Sequence, residues 1–339
     1  MTCEPPDQNA WQLLAHARQL TEPTLRKAVT RLPEPVRTVA GYHFGWQDQA
    51  GHPADGDWGK GVRGALVLTS AQAMGIAPER AVGAAAGVEL IHNFTLLHDD
   101  FMDRDAVRRS RPSAWSLFGD AQAVLTGDAL LIVAMEELAE HPAIVHELCD
   151  VLVTLVAGQG ADLAFEQRTD VGLDECLEMA ADKTAALFSG ACALGALVAS
   201  ATARQTSALR RFGHHLGLTF QLIDDLLGIW GHSSVSGKPV GSDLRRRKKS
   251  LPVVAALSAK GPEARRLAEL YHRDVQPLTE NEIREAAQLI EQAGARTWAE
   301  HEAARHRSAA LTALAAAAPG PEGARALASL AEMVTHRQH

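Results

Sequence analysis

Apolar residues recur along most of this chain at intervals of three and four, the spacing that lays one face of an α-helix against a core. No stretch alternates apolar and polar positions over a length useful to a strand. The pattern predicts helices over residues 121–139, 141–157 and onward to 166, and again over 173–200. Earlier, residues 10–40 read as two short helices punctuated by Glu22-Pro23 and by Pro33 and Pro35. A Gly/Asp/Pro-rich loop follows over 47–57, and helix reopens at Trp58 and continues to Met74. Pro78 starts a helix whose small and apolar residues, 81–97, lead into a cluster of aspartates. From Leu251 the chain is helical again, with turns at Val275-Gln276-Pro277 and Pro319-Gly320-Pro321. Residues 309–318 read as helix rather than linker, and no domain boundary is visible. The expectation is one all-α domain over residues 1–339.

Composition narrows the class. The 339 residues are 46% hydrophobic and 22% charged, the balance of a soluble globular protein. Few aromatics and many alanines and leucines favour helix. A net charge of −8 with no basic tail disfavours nucleic acid as a partner. Cys3, Cys149, Cys176 and Cys192 lack metal-ligand spacing, which argues against a disulfide framework and for a reducing cytoplasm. The first nine residues have no signal-peptide apolar region, and no uninterrupted apolar run reaches the roughly 18 residues of a membrane span. A cytoplasmic protein without a membrane span is expected.

The candidate chemistry begins at His98-Asp99-Asp100-Phe101-Met102-Asp103. If the helix continues, Asp99 and Asp103 stand at i and i+4, so both carboxylates project from one face, with Asp100 beside them. Carboxylates crowded at the end of an apolar helix repel unless a cation sits between them. Hard oxygen ligands of this kind suit Mg²⁺, which keeps waters and completes its shell with substrate phosphates. Arg108 and Arg109 follow, in the chemistry used to grip phosphate oxygens. Lys60 and Arg63, at i and i+3, read as one cationic face at a helix start. The helix dipole disfavours cations there unless an anion is present. His92, Phe94 and Thr95 precede the aspartates on the same helix; taken alone, each reads as an ordinary core position. Lys183-Thr184 interrupts an apolar helix. Phe220-Gln221-Leu222-Ile223-Asp224-Asp225 places a second acidic pair on another helix. Beyond it, a loop with Gly237-Lys238, Gly241, Asp243 and a basic run from Arg245 to Lys249 could fold over a metal-bound phosphate.

Together these segments resemble the trans-isoprenyl diphosphate synthases, the polyprenyl synthetase family. The run from Asp99 to Arg109 is similar to the family's first aspartate-rich motif, and Phe220 to Asp225 to the second. Gly59-Lys60-x-x-Arg63, Lys183-Thr184, and Gly237-Lys238 through Asp243 to Lys248-x-Ser250-Leu251-Pro252 match three further motifs in order, across about residues 20–300. The resemblance implies an all-α bundle with the two aspartate-rich helices across a deep central cavity. It implies Mg²⁺, three ions, on Asp99, Asp103 and Asp224, with Asp100 and Asp225 supporting the shell. It implies an allylic diphosphate (dimethylallyl, geranyl or farnesyl) on Arg108, Lys183, Lys238 and Lys248. Isopentenyl diphosphate would lie on Lys60, Arg63, His92 and Arg109, and Thr184 and Gln221 would stabilise an allylic cation. A homodimer is also implied.

Four positions depart from the family pattern. Gly228 stands in place of a third aspartate, Gly64 in place of a proline, and Ser110 and Arg247 where glycines are common. An aromatic at Phe94 with the small Thr95 after it resembles the floor of synthases that stop near C20, so geranylgeranyl diphosphate is the expected product. Two rivals carry other expectations: a class I terpene cyclase, which needs a metal triad that the region around Asp224 lacks, and a partner-dependent or non-catalytic subunit.

Overall fold

The computed structural model describes residues 6–139, 141–231, 241–271 and 278–335. Gly237, Lys238 and the turn at 275–277 lie outside the described residues. In chain order the helices are α1 (Pro6–Thr30), α2 (Val36–His43), α3 (Val62–Ala73) and, after a 3₁₀ turn at Pro78–Ala81, α4 (Val82–Met102). A hairpin of two short strands, β1 (Val107–Arg108) and β2 (Arg111–Pro112), leads to α5 (Ala114–Phe118), α6 (Asp120–Leu138) and α7 (Pro142–Glu166). Then come α8 (Leu173–Ala180), a π turn at Ala181–Ala185, α9 (Ala186–Val198) and α10 (Ala203–Trp230). The remainder is α11 (Ser242–Arg245), α12 (Leu251–Ser258), α13 (Pro262–Tyr271), α14 (Glu280–Gln292), α15 (Ala295–Ala316) and α16 (Pro321–Thr335). The all-α expectation holds, the predicted boundaries of α6 and α7 fall within two residues of those observed, and residues 309–318 fall mostly within the longer α15.

The first helix differs from expectation. It runs unbroken through Pro23, although proline removes a hydrogen bond and costs about 3 kcal/mol in a helix interior. Ala10, Leu14, Ala17, Thr21, Leu25 and Ala28 form a buried stripe along it, whereas Pro23 is exposed. Burying one leucine stabilises by about 1.5–3 kcal/mol, so two such residues offset the proline.

Two compact units form, each from non-contiguous segments. The first comprises Met1–Cys149, Gly190–Leu209 and Ala317–Ser329. Its centre is α4, which packs on α1, α3 and α6. The small residues Ala84, Ala85, Ala86 and Gly87 bury one end of this helix, and Leu90, Ile91, Phe94 and Leu97 fill the space nearer the aspartates. The second unit comprises Asp150–Ser189, Arg210–Ala316 and Leu330–His339. Within it Leu218, Leu222, Ile223 and Leu226 of α10 bury against Phe165, Met179, Leu251 and Ala299. A neighbouring cluster joins Ile229, Leu244 and Val253 to Leu267, Leu270 and Ile283.

Two helical runs, Pro142–Glu166 and Leu173–Val198, are long and apolar enough to cross a membrane by length and composition alone, although charged residues interrupt both. Two-thirds of the second run's window is buried inside the protein, as in a core helix.

A histidine pair joins α10 to α15. Arg305 Nη2 lies 3.1 Å from His306 Nε2, and an arginine can only donate, so His306 is neutral with its proton on Nδ1. That proton points at His215 Nδ1, 3.0 Å away, which must accept. Burial, then Arg305 and His215, push His306 down to about 4. Burial, then His214 and Arg305, also lower His215. The charged neighbours are Arg211 and His214 on α10, Glu302 and Arg305 on α15, and Asp182 of the π turn, which faces His214. Between the ordinary histidine range and about pH 4 the unfolded chain binds more protons than the folded one, so acid removes stability in that window. At pH 5 the His306 contribution is a loss of about 2 kcal/mol relative to pH 8. Chemical denaturation at the two pH values should show it, and H306Q, which cannot titrate, should flatten the dependence. An unchanged slope in H306Q would place the acid sensitivity elsewhere.

Candidate active site

In the first unit, helix geometry persists to the last aspartate: Asp103 N–H donates to Asp99 O at 2.8 Å. The Asp99 and Asp103 carboxylates therefore stand one turn apart on one face, both partly exposed. Asp100 points elsewhere and is buried. Arg108 Nε donates to its two oxygens at 3.0 and 3.1 Å, and Nη2 adds a second bond to Oδ1. Burial raises the Asp100 pKa, a rise that the guanidinium only partly offsets, so this aspartate is built to hold Arg108.

The hairpin sets both arginines. Arg108 pairs with Arg111, leaving Arg109 and Ser110 as a two-residue turn with φ of 52° and 59°. Two left-handed residues in succession make a type I′ turn, which favours glycine. Ser110 therefore accepts a backbone conformation that the glycine common at this position would adopt without strain. Arg109 turns inward, donating from Nη1 to His43 O and from Nη2 to Asn93 Oδ1, each at 3.2 Å. His43 Nε2 donates to the same Asn93 oxygen at 3.1 Å, and Asn93 Nδ2 donates to Glu89 O at 2.8 Å. Burial, then Arg108, lowers Arg109 to about 10.

Arg63 Nη1 donates to His92 Nε2 at 3.1 Å. Burial, then Arg63, keeps His92 neutral, well below the usual histidine range. Gly64 N–H donates to the buried Glu89 Oε1 at 2.7 Å. A proline at 64 would have no hydrogen to give, so Gly64 does more than relax the backbone. Lys60 differs from expectation. The helix starts at Val62, behind Gly61 in a left-handed conformation (φ 65°), so Lys60 and Arg63 do not share a helical face. The Lys60 ammonium instead lies 4.9 Å from the Trp11 ring. Phe94 packs edge-on against His98, and Thr95 Oγ1 donates to His92 O.

In the second unit one narrow cavity among the described residues is lined by Asp162, Lys183, Thr184, Gln221, Asp225 and Lys248, among others. The π turn inserts an extra residue into the helical repeat, and such bulges frequently mark functional sites. Here it presents Lys183 and Thr184 together. Thr184 Oγ1 donates to Gln221 Oε1 and Gln221 Nε2 donates to Asp225 Oδ1, both at 2.6 Å. Leu251 N–H donates to the other Asp225 oxygen at 2.8 Å. The relay fixes the Gln221 amide and hence the Thr184 hydroxyl. Burial pushes Asp225 up to about 7, whereas Asp224, its neighbour on the helix, is exposed. Burial would lower the Lys248 pKa, but Asp243, Asp162, Asp225 and Asp224 outweigh it and hold the ammonium charged.

Sequence reasoning missed His43, Glu89, Asn93 and Asp162. Asp162, a charge inside an otherwise apolar helical stretch, carried the same signal that drew attention to Lys183. The three others sit among residues that read as core.

Among the described residues no group of three or more His, Cys, Asp or Glu side chains is arranged to hold an ion alone. Magnesium accepts one or two carboxylates and takes the rest of its shell from water and phosphate, so the Asp99–Asp103 pair and the exposed Asp224 fit it as donors.

The polyprenyl synthetase family model matches residues 51–290. The chain belongs to the polyprenyl synthetase family. A (2E,6E)-farnesyl diphosphate synthase of Mycobacterium tuberculosis is 45% identical, covering 96% of this chain and 93% of that protein. A geranylgeranyl diphosphate synthase of the same organism is 44% identical with the same coverage. A polyprenyl synthetase structure from Streptomyces coelicolor superposes with a TM-score of 0.92 at 46% identity, covering 96% of this chain and 99% of that one. This polyprenyl synthetase is thus a trans-prenyltransferase that condenses isopentenyl diphosphate with an allylic diphosphate, in a family that works with a divalent metal.

The glycine that replaces a third aspartate has a structural counterpart. A Cβ at Gly228 would lie 2.6 Å from Asp243 Cγ and overlap its carboxylate oxygen. Asp243 therefore fills the space one turn beyond Asp224 on α10. Restoring aspartate with G228D should displace Asp243 and lower kcat/KM for the allylic substrate by about tenfold or more, as misplaced site groups do. Steady-state kinetics check this; higher activity in G228D would mean that Asp243 is no substitute.

Proposed function

We propose that this enzyme extends a C5, C10 or C15 allylic diphosphate with isopentenyl diphosphate and releases geranylgeranyl diphosphate, C20. The observation that carries the length is Phe94, buried and braced by His98, followed by the small Thr95 one turn above Asp99 on its own face. A chain growing along α4 away from the aspartates meets that ring. The farnesyl and geranylgeranyl relatives are equally similar, so the length rests on these side chains.

In this reading Asp99, Asp103 and Asp224 hold magnesium, three ions in all, with Asp100 and Asp225 bracing Arg108 and the Gln221 amide behind them. Bound metal supplies neutralisation of the charge that develops on the departing diphosphate. Arg108, Lys183, Lys238 and Lys248 bind the allylic diphosphate and add fixed positive charge where the C–O bond breaks. Thr184 and Gln221, held by their shared hydrogen bond, turn oxygen dipoles toward the allylic cation. Lys60, Arg63, His92 and Arg109 hold the isopentenyl diphosphate, whose double bond attacks the cation; the proton then lost passes to the released diphosphate. Holding the two substrates in line is much of the catalysis. The chain acts as one synthase domain in the cytoplasm, as a homodimer. The exposed Leu125 and Ile132 of α6, two turns apart, and the exposed Val153 and Val156 of α7 support association.

Product analysis by mass, with Mg²⁺, isopentenyl diphosphate and each allylic primer, tests the reading. A C20 diphosphate is expected, and a C15 or C25 product would move the floor. D99A should abolish turnover with helical content unchanged; turnover at the parent rate would remove Asp99 from the metal site. F94A should lengthen the product by at least one C5 unit, and an unchanged length would place the floor elsewhere.

A further inference from the structure

Asp162 has no part in the reading above, yet Lys183, one of its cations, donates to this carboxylate. It lies on α7, buried, and its Oδ2 accepts a hydrogen bond from Lys183 Nζ at 2.6 Å. It shares one cavity with Lys183 and Lys248. Burial would raise its pKa, but Lys183 and Lys248 outweigh that and hold it below the usual carboxylate range. One turn earlier on the same helix, a Cβ at Gly158 would overlap Lys183 N and lie 2.7 Å from Asp182 C. The backbones of α7 and the π turn are therefore in direct contact, and main-chain packing sets the distance between carboxylate and ammonium.

We infer that Asp162 is a positioning residue for the diphosphate-binding lysines, acting through Lys183, an inference that rests on the role proposed for Lys183. An ammonium group has three hydrogens and no preferred direction of its own. Committing one hydrogen to a carboxylate fixed by backbone contact sets the directions of the other two. The same carboxylate offsets the repulsion of two ammonium groups in one cavity, so that Lys183 and Lys248 remain charged and close together before a diphosphate arrives. Asp162 need not touch substrate to do this.

The test is a double-mutant cycle on the full-length enzyme. D162N is nearly isosteric and keeps an oxygen for Lys183 but removes the charge. It should lower kcat/KM for geranyl diphosphate about tenfold, while KM for isopentenyl diphosphate stays within about twofold. D162E, which restores the charge one methylene further out, should recover most of that loss. If Asp162 works through Lys183, adding D162N to K183A should cost less than about twofold more. Calorimetric binding of geranyl diphosphate in Mg²⁺, beside thermal melts of each variant, separates a displaced lysine from a loosened fold. Parent-like kinetics in D162N and D162E beside a crippled K183A would overturn this inference alone, as would D162N and K183A losses that multiply. Parent-like turnover in K183A would overturn both this inference and the role given to Lys183. Should D162N fail to fold, D162S, which also removes the charge, carries the test: turnover reduced with folding and isopentenyl diphosphate KM intact supports the inference, and parent-like turnover overturns it.

Discussion

A site that receives polyanions must keep buried cations charged while no polyanion is bound. Removing one partner of a buried pair costs about 3–5 kcal/mol, because it leaves an uncompensated charge. Much of this structure can be read as an answer to that constraint. In the first unit Arg108 is gripped by Asp100, and Arg109 spends its donors on a carbonyl and on Asn93. Arg63 donates to a neutral histidine. In the second unit Lys183 rests on Asp162, and four carboxylates hold Lys248 charged. Each basic group thereby rests on an acceptor that also aims it, as the proposed diphosphate-binding role requires.

Bringing several of the cations to those acceptors uses backbone that departs from regular helix. The π turn presents Lys183 and Thr184 together to one cavity. The type I′ hairpin sends Arg108 and Arg109 to different partners from adjacent positions. Gly158 lets the backbone of α7 touch the π turn beside the place where the Asp162 carboxylate meets the Lys183 ammonium. The regular helices supply the rigid frame and most of the carboxylates, and Arg108, Arg109 and Lys183 sit where regularity is interrupted.

These interruptions mark the limit of what the sequence revealed. Helical periodicity located α4, α6 and α7, and the order of five short motifs pointed to the family to which the chain belongs before any coordinates. The Pro23 reading failed because local propensity was outweighed by a buried stripe that extends to both sides of the proline. Lys60 was misplaced because the left-handed Gly61 starts the helix later than the apolar pattern suggests. Asp162 and Glu89 were passed over for a different reason. Their partners, Lys183 and Gly64, are 21 and 25 residues away in the chain, and a buried carboxylate declares its purpose only beside the group it accepts from.

Gly228 carries the same lesson in the opposite direction. Read by position, the second acidic motif has lost its last carboxylate, and that loss is what kept a non-catalytic subunit in contention. Read by atoms, a carboxylate is there: Asp243 enters from α11 and occupies the volume that a side chain at 228 would need. Its charge also bears on Lys248, whose N–H in turn donates to Asp243 O at 2.9 Å, so the same aspartate shapes both the loop and its cation. An aspartate at 228 and this placement of Asp243 are sterically exclusive. The missing side chain at 228 therefore gives Asp243, which belongs to a motif the family shares, the room it takes one turn beyond Asp224.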